Sequence, residues 1–404
     1  MVDFHFTEEQ ISLQQLCKDF ALKEIKPVAK ELDKIADPHE LHKKFPWEII
    51  RKGSRLGLRT AALPKENGGL GIGILTHLLM LEELCQGDSG FACHFHQAWK
   101  MAKLLIERCS EEQRDHFLPK FTDDETALLA VGITEPDAGC DNLMPYDEPN
   151  GGMRTSAARD GDEWVINGTK HFIASASVSK LYFVSARTDK SVGVTRGVTV
   201  FLIERDTPGF TIGRIHDKLG NRLMMNAELI FQDCRIPDFN RVSEVGKGLQ
   251  FLGSFGARHV PTTGAFGVAL ARAAFEYVLE YAKARVQGGC PIIEHPTVAH
   301  RLGEMASIIE AARAVSIQAA WGADQSEYDA RRGILASIFA SDAGPKVCEM
   351  ALQLMGGYGY MKEHPVEKIL RDALMCYHID GTSDVHRIKA GEMLRGLTTS
   401  GYIS

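Results

Sequence analysis

No C-x-x-C pair occurs among the nine scattered cysteines of this chain, so they read as reduced thiols rather than as a disulfide framework. No apolar run approaches the roughly 18 residues that a membrane span requires. Positive charge is not in excess: 46 Lys and Arg stand against 53 Asp and Glu, a formal net charge of -7, which argues against a nucleic-acid footprint and leaves room only for a local basic patch. Internal repeats and low-complexity segments are absent. The start, MVDFHFTEEQ, leads directly into a Thr-x-x-Gln capping box at Thr7 and Gln10, and the expected location is the cytoplasm.

What is present is an ordinary globular composition, 44% hydrophobic and 25% charged over 404 residues, enough for two or three packed units. Helical patterns run from Thr7 to about Thr122, broken by a loop at LPKENGGLG, Leu63 to Gly71. Between about Ala127 and Pro237 the pattern changes to short β-rich runs, EWVINGTKHFI with a hairpin signal at Asn167-Gly168, LYFVSAR, GVTVFLIER and AELIFQDCRIP, which predict an antiparallel barrel or sandwich. Helices return after Gly248. Val298, Leu302, Met305, Ile309 and Ala312 form one bundle stripe, and Leu270, Ala274, Val278 and Ala282 form another. The expected units are 1–125 helical, 126–240 β-barrel and 241–404 helical bundle, a mainly α chain with a central β domain.

Five segments carry chemistry. In ITEPDAGCD, Ile133 to Asp141, the Thr134 hydroxyl and main chain can bond the polar edge of a planar heterocycle, while Pro136 and Gly139 shape a tight turn. NGTKHFIASA, from Asn167, reads by itself as a hairpin with a buried aromatic. In RVQGGCPIIEHP, Arg285 can take a pyrophosphate bidentately, although an arginine at a helix end more often complements the helix dipole. QLMGGYGYMKEHPVEKILRD offers Gly356 and Gly357 for close backbone approach and Gln353 for a phosphate or ribose, without the setting of a dinucleotide fingerprint. YHIDGTSDVHR, Tyr377 to Arg387, places the carboxylate of Asp380 on a Gly-Thr-Ser turn, where it can take a proton. The His94-x-His96 and His295/His300 pairs have no acidic or cysteine ligand at suitable spacing, so they read as packed or surface histidines, and no metal is assigned.

Taken in order, these segments resemble the acyl-CoA dehydrogenase family over essentially the whole chain. TEPDAGCD matches TEPxAGSD with Cys140 for serine, QLMGGYGY followed by RDA matches QxxGGxGY, and DGTS matches EGTS with Asp380 for the glutamate base. The RxxFG motif has Gly288 in place of its phenylalanine. The resemblance implies an N-terminal helical domain, a middle β-barrel and a C-terminal four-helix bundle, with FAD between barrel and bundles. It implies α,β-dehydrogenation of a CoA thioester with Asp380 as base, and electron-transferring flavoprotein as acceptor.

The cofactor residues implied are Val131, Ile133, Thr134, Gly139, Cys140, Phe172, Ala174, Arg285, Gln287, Gln353, Gly356, Gly357, Thr382 and Asp384; those near substrate are Cys140, Arg258 and Gly381. Phe172 supplies the aromatic laid against the flavin, and Ala174 stands where the family offers a hydroxyl. Arg285 and the Gln353 loop serve the flavin of a neighbouring subunit, so a homo-oligomer, usually a tetramer, is implied. Arg387 occupies the position of the arginine that supports the aspartate base of the related nitroalkane oxidases, and is expected beside Asp380. An oxidase of that kind, with oxygen as acceptor, is the alternative activity. Aspartate stops about 1.5 Å short of glutamate, which favours a cyclic or α-branched acyl group, and desolvation by that group is expected to raise the Asp380 pKa. The insertion Asn142 to Met153 is expected to reshape the acyl or CoA entrance.

Overall fold

Thr7 and Gln10 open the first helix as their spacing predicts: the Thr7 hydroxyl accepts from the Gln10 N–H at 3.2 Å, and the Gln10 side chain accepts from the Thr7 N–H at 3.0 Å. The structure is a computed structural model and describes residues 5–143 and 147–395. From Glu8 the chain is helical to Leu32, passing through a π turn at Ala21–Ile25. Two further helices, Ile74–Leu84 and Ser89–Arg108, form the centre of this unit. Asp88 caps the second by accepting from Phe91 N–H at 2.7 Å. Residues 89–102 of that helix are buried without a break, although they include His94, His96, Gln97 and Lys100. A helix buried all round must find partners for such groups. Here those partners build the site.

The middle of the chain forms seven paired strands: β1 Leu129–Gly132, β2 Ser156–Asp160, β3 Glu163–Ile173, β4 Leu181–Arg187, β5 Val198–Glu204, β6 Phe210–Ile215 and β7 Ala227–Pro237. They pair in the order β1-β4-β2-β3-β7-β6, with β5 also on β4. Every residue of β4 is buried, and period 2 explains how. Leu181 and Phe183 join the helical core, while Tyr182, Val184 and Ala186 join the core enclosed by the sheet.

Two sequence expectations are corrected. The sheet is mixed, because β1 lies parallel to β4: the turn, the insertion and the β2–β3 hairpin all intervene, so β1 meets β4 through a crossover instead of a hairpin. Asn167-Gly168 is not a hairpin turn. It lies inside β3 at a register shift against β7, with Gly168 at φ 139°, and the turn falls at Gly161–Asp162. A Cβ on Gly168 would stand 2.6 Å from Thr155 Cα, so a side chain there has no room.

The C-terminal helices Gly248–Ala284, Pro296–Ala323 and Ala330–Met355 pack together, and Ser383–Leu394 packs on the last of them. Both predicted stripes face the interior: Leu302, Met305, Ile309 and Ala312 are buried, as are Leu270, Ala274, Val278 and Ala282, while Val298 is half-buried. Backbones touch where Gly267 faces Ala340, since a Cβ on Gly267 would lie 2.1 Å from the Ala340 carbonyl oxygen. Among the described residues, no helix is long and apolar enough to cross a membrane.

Candidate active site

The chain turns sharply after Tyr377, and two consecutive residues take left-handed backbone angles, Asp380 at φ 48° and Gly381 at φ 97°. Thr382 then caps the Ser383–Leu394 helix, accepting from Val385 N–H at 3.3 Å. An L-residue at positive φ persists only where its surroundings hold it. The ring of His386 holds this one, with Nε2 3.2 Å from the Asp380 carbonyl oxygen and Nδ1 3.3 Å from Ser337 Oγ.

The carboxylate is held from another part of the fold. Lys100 Nζ lies 2.5 Å from Asp380 Oδ2, and His96 Nε2 lies 3.9 Å from the same oxygen. His96 and Lys100 are four residues apart on the Ser89–Arg108 helix and so share one face. Behind them, His96 Nδ1 is 2.9 Å from His77 Nε2, and the His77 ring packs against Trp99 and His259. Burial pulls His96 down to about 4 and His77 well below its ordinary value, so both rings are neutral near pH 7. One donor arrangement serves the chain: His77 Nε2–H donates to His96 Nδ1, and His96 Nε2–H points toward Asp380. Asp380 keeps 34% of its side-chain surface accessible, whereas that of Lys100 keeps 10%. Burial acts to raise the Asp380 pKa, but the Lys100 charge and His96 outweigh it and hold the carboxyl well below the usual carboxylate range. A rise caused by a covering acyl group would start from this lowered value.

The turn after β1 meets this cluster. Cys140 Sγ lies 4.0 Å from Thr382 Oγ1, joining TEPDAGCD to DGTS. The turn is tight, with Glu135 N–H donating to Ala138 O at 2.9 Å, and Thr134 O accepts from His171 N–H at 2.8 Å. Val131 and Ile133 are half-buried against the helical core, while Gly139 is exposed with open space where a Cβ would stand. Phe172 is 60% exposed at φ 58°, so it is not the buried aromatic of a hairpin; its ring stands with those of His171 and His216. Ala174 is half-buried on the helical core, and His94 is engaged on both nitrogens, by Ser175 Oγ and Leu223 O, each at 2.9 Å.

A second cluster stands apart. Arg285, Gln287, Gln353, Gly356 and Gly357 line one open groove of about 590 Å³, to which no residue of the Asp380 cluster contributes. The Arg285 guanidinium lies over the Tyr358 ring at 5.2 Å. Gly288 and Gly289, at φ 65° and 91°, make the two-residue turn of a short hairpin between Val286–Gln287 and Cys290–Pro291. Gly288 thus serves the turn, and a Cβ there would stand 3.2 Å from the His295 ring.

Family models of the acyl-CoA dehydrogenase N-terminal, middle and C-terminal domains match residues 7–125, 130–234 and 247–394. The probable acyl-CoA dehydrogenase YngJ of Bacillus subtilis (strain 168) is 34% identical over 396 residues, which span 97% of this chain and 100% of that protein. The chain belongs to the acyl-CoA dehydrogenase family. The cyclohex-1-ene-1-carbonyl-CoA dehydrogenase of Geobacter metallireducens is 34% identical over 391 residues, covering 96% of this chain and 99% of its own length. The butyryl-CoA dehydrogenase of Megasphaera elsdenii superposes with a TM-score of 0.89 at 32% identity, over 98% of this chain and 100% of that one.

As an acyl-CoA dehydrogenase this chain is an FAD-dependent oxidoreductase acting on the CH–CH group of an acyl-CoA. Its residues fit the cofactor. The Arg285 groove offers a guanidinium fork, the Gln353 amide and a Gly356–Gly357 backbone with nothing within 4 Å of either Cβ position. Cys140 and Thr382 offer polar groups where the two motifs meet, and the exposed Phe172 ring offers an aromatic face beside His171 and His216.

One expected residue lies elsewhere. Arg387 does not reach Asp380: it pairs with Asp342 at 2.6 Å and Asp384 at 3.3 Å, both on the surface. Four residues past Ser383, the first residue of its helix, its side chain faces the neighbouring Ala330–Met355 helix instead. Asp384 is 90% exposed in that ion pair. Arg258 caps the end of the Pro296–Ala323 helix, donating to Ala323 O at 2.9 Å and to Gln325 O at 3.3 Å. Sequence reasoning missed Lys100, His96 and His77. The i, i+4 spacing of His96 and Lys100 was the available signal; the partner carboxylate, 280 residues later, was not visible in it.

The insertion is described in part, and residues 144–146 lie outside the described residues. Of the rest, Asn142 accepts from Met153 N–H at 3.0 Å, Asp147 holds Thr195, and Met153 packs with Val194, Val198 and Leu249.

Proposed function

We propose that Asp380 is the base that removes the α-proton of a cyclic or α-branched acyl-CoA, with electrons leaving to electron-transferring flavoprotein. The observation that carries this is the position of the Asp380 carboxylate, partly open, on a strained turn, with one oxygen held by Lys100 and its neighbour Thr382 against Cys140 of the other motif. Bound FAD supplies the acceptor for the hydride that leaves the β-carbon. Asp380 takes the proton, Cys140 and Thr382 line the space beside it, and hydrogen bonds to the thioester oxygen stabilise the enolate that develops.

The substrate class is supported by the shorter aspartate side chain, which asks the α-carbon to approach more closely, and by the name of the Geobacter relative. Of the features shared with the oxidase alternative, the arginine beside the base is not formed, since Arg387 is on Asp342 instead. Anaerobic bleaching with straight, branched and cyclic acyl-CoA thioesters, run beside nitroethane, tests the reading. Fast bleaching by a cyclic or branched thioester supports it; reduction by nitroethane and by no thioester sinks it.

We also infer that the Arg285 groove holds the flavin pyrophosphate of a neighbouring subunit in a homo-oligomer, because it shares no residue with the Asp380 cluster. Arg285→Ala should weaken flavin retention by about 10- to 100-fold, as expected for a lost charge-assisted bond. A monomeric holoprotein by light scattering, or undiminished retention in the variant, contradicts the inference.

A further inference from the structure

We propose that Lys100 is a positioning residue for Asp380, fixing its carboxylate from across the fold and remaining as the compensating cation once that carboxylate has taken a proton. The proposal rests on the reading of Asp380 as the base.

The geometry is specific. Lys100 stands on a helix whose neighbouring positions are all buried, its side chain is 10% exposed, and its ammonium lies 2.5 Å from Oδ2. The backbone of Asp380, at φ 48°, is fixed independently by His386 on its carbonyl oxygen. Two anchors from two elements therefore determine where a short side chain ends. Among the described residues, Oδ1 receives no hydrogen bond, so Oδ1 is the atom left to accept the proton.

The charges balance on this assignment. Before the reaction the Asp380–Lys100 pair sums to zero. When the C–H bond breaks and its proton moves to Oδ1, the carboxyl is neutral and the pair carries +1, next to the negative charge developing on the thioester enolate. A lone carboxylate would offer no such cation. The rings and the thiol facing the pair do not supply one: His96 and Cys93 on the same helix are neutral, at about 4 and about 12, His386 is pulled down by burial, and His77 and His259 behind His96 are neutral as well. Lys389, three residues beyond His386 and near Cys140, is drawn down by burial to about 8 and still carries its proton at pH 7; it adds to the positive field of the region, while the ammonium bonded to the carboxylate is that of Lys100.

The test uses the holoenzyme with Lys100→Gln, which keeps a donor and loses the charge, and Lys100→Arg, which keeps the charge. Flavin reduction by the best acyl-CoA is followed against pH, and Asp380 is titrated by carboxyl ¹³C NMR, assigned by its loss in Asp380→Asn. The Gln variant should reduce about 10²-fold more slowly, as for removal of one preorganised electrostatic group, with substrate affinity nearly unchanged. Its acid limb and its ¹³C titration should both move to higher pH. The Arg variant should keep both where the native protein has them and stay within about tenfold in rate.

An unmoved acid limb and an unmoved ¹³C titration in Lys100→Gln overturn the proposal, even if the rate falls, and so does an Arg variant that behaves like Gln. If the Gln variant does not fold, the Arg variant alone decides by the same two readouts. The underlying reading fails separately: Asp380→Asn would then keep its turnover, whatever the Lys100 variants do.

Discussion

Two of the carboxylate–lysine pairs at this family's motifs, Glu135–Lys170 and Asp380–Lys100, differ in how much of the carboxylate is left open, and the second is the one proposed to react. Glu135, in TEPDAGCD, is 4% exposed beside a Lys170 that is fully buried. Its oxygens accept from Lys170 Nζ at 2.7 Å, Arg154 N–H at 2.6 Å and Thr155 N–H at 3.0 Å, while Lys170 also donates to Ile133 O at 3.1 Å. Asp380 is 34% exposed and shares one oxygen with one ammonium. Both carboxyls are held below their ordinary range. The direction of a pKa shift therefore does not separate a structural pair from a reactive one. Spare acceptor capacity facing open space does, because a buried carboxylate with both oxygens engaged cannot receive a substrate proton without first breaking the turn it holds.

The sharpest way to break this comparison is to remove each carboxylate's charge at nearly constant shape. Asp380→Asn should retain FAD and lose turnover by about 10³-fold or more, within the range that a positioned base contributes. Glu135 and Asp88 are the other acids to consider, and both are committed. Asp88 caps the Ser89–Arg108 helix and pairs with Lys368 at 2.6 Å. A loss below about tenfold in Asp380→Asn, roughly 1.4 kcal/mol in barrier, would show that proton removal lies elsewhere.

Lys170→Met examines the other half. Leaving Glu135 buried without its cation should cost about 3 kcal/mol or more in stability, with activity falling only as the turn that Glu135 holds loosens. Chemical denaturation read beside flavin retention checks this. The pH dependence follows from the sign. Burial tends to raise the Glu135 pKa, yet the Lys170 charge and the hydrogen bonds from Lys170, Thr155 and Arg154 lower it below its ordinary 4.5. Stability from the pair is present above pH 4.5 and is lost as pH falls through the lower folded value. Glu135→Gln should flatten that acid loss in a melting series. An equally steep loss in the variant would mean that other carboxylates carry it.

How far these features could be read in advance depended on whether the physics was local. The capping box at Thr7 and Gln10 and the stripe through Leu302, Met305 and Ile309 were legible because spacing alone aligns their partners. Asn167-Gly168 misled because its turn chemistry is the same as that of a bulge, and the choice is made by the register of β7, 60 residues further on. Asp380 was legible from DGTS, whereas its partner was not. A buried polar helix gives no period to read, and His96 and Lys100 acquire their meaning only when the last turn of the chain folds onto them.

Arg387 gives the smallest expected effect. Sequence position placed it beside the base, but it sits 42% exposed between Asp342 and Asp384, whose side chains are 48% and 90% exposed. Water screens such a pair, and its contribution to stability is below about 1 kcal/mol. No part of it touches the Asp380 carboxylate, so Arg387→Ala should change turnover by less than about threefold and leave the acid limb of flavin reduction where it is. That limb is the informative readout, because an arginine supporting the base would shift it upward on removal, as Lys100→Gln is expected to do. Matching shifts in the two variants would mean that the carboxylate answers to the net charge around it, and the assignment of Lys100 as its specific partner would lose its ground.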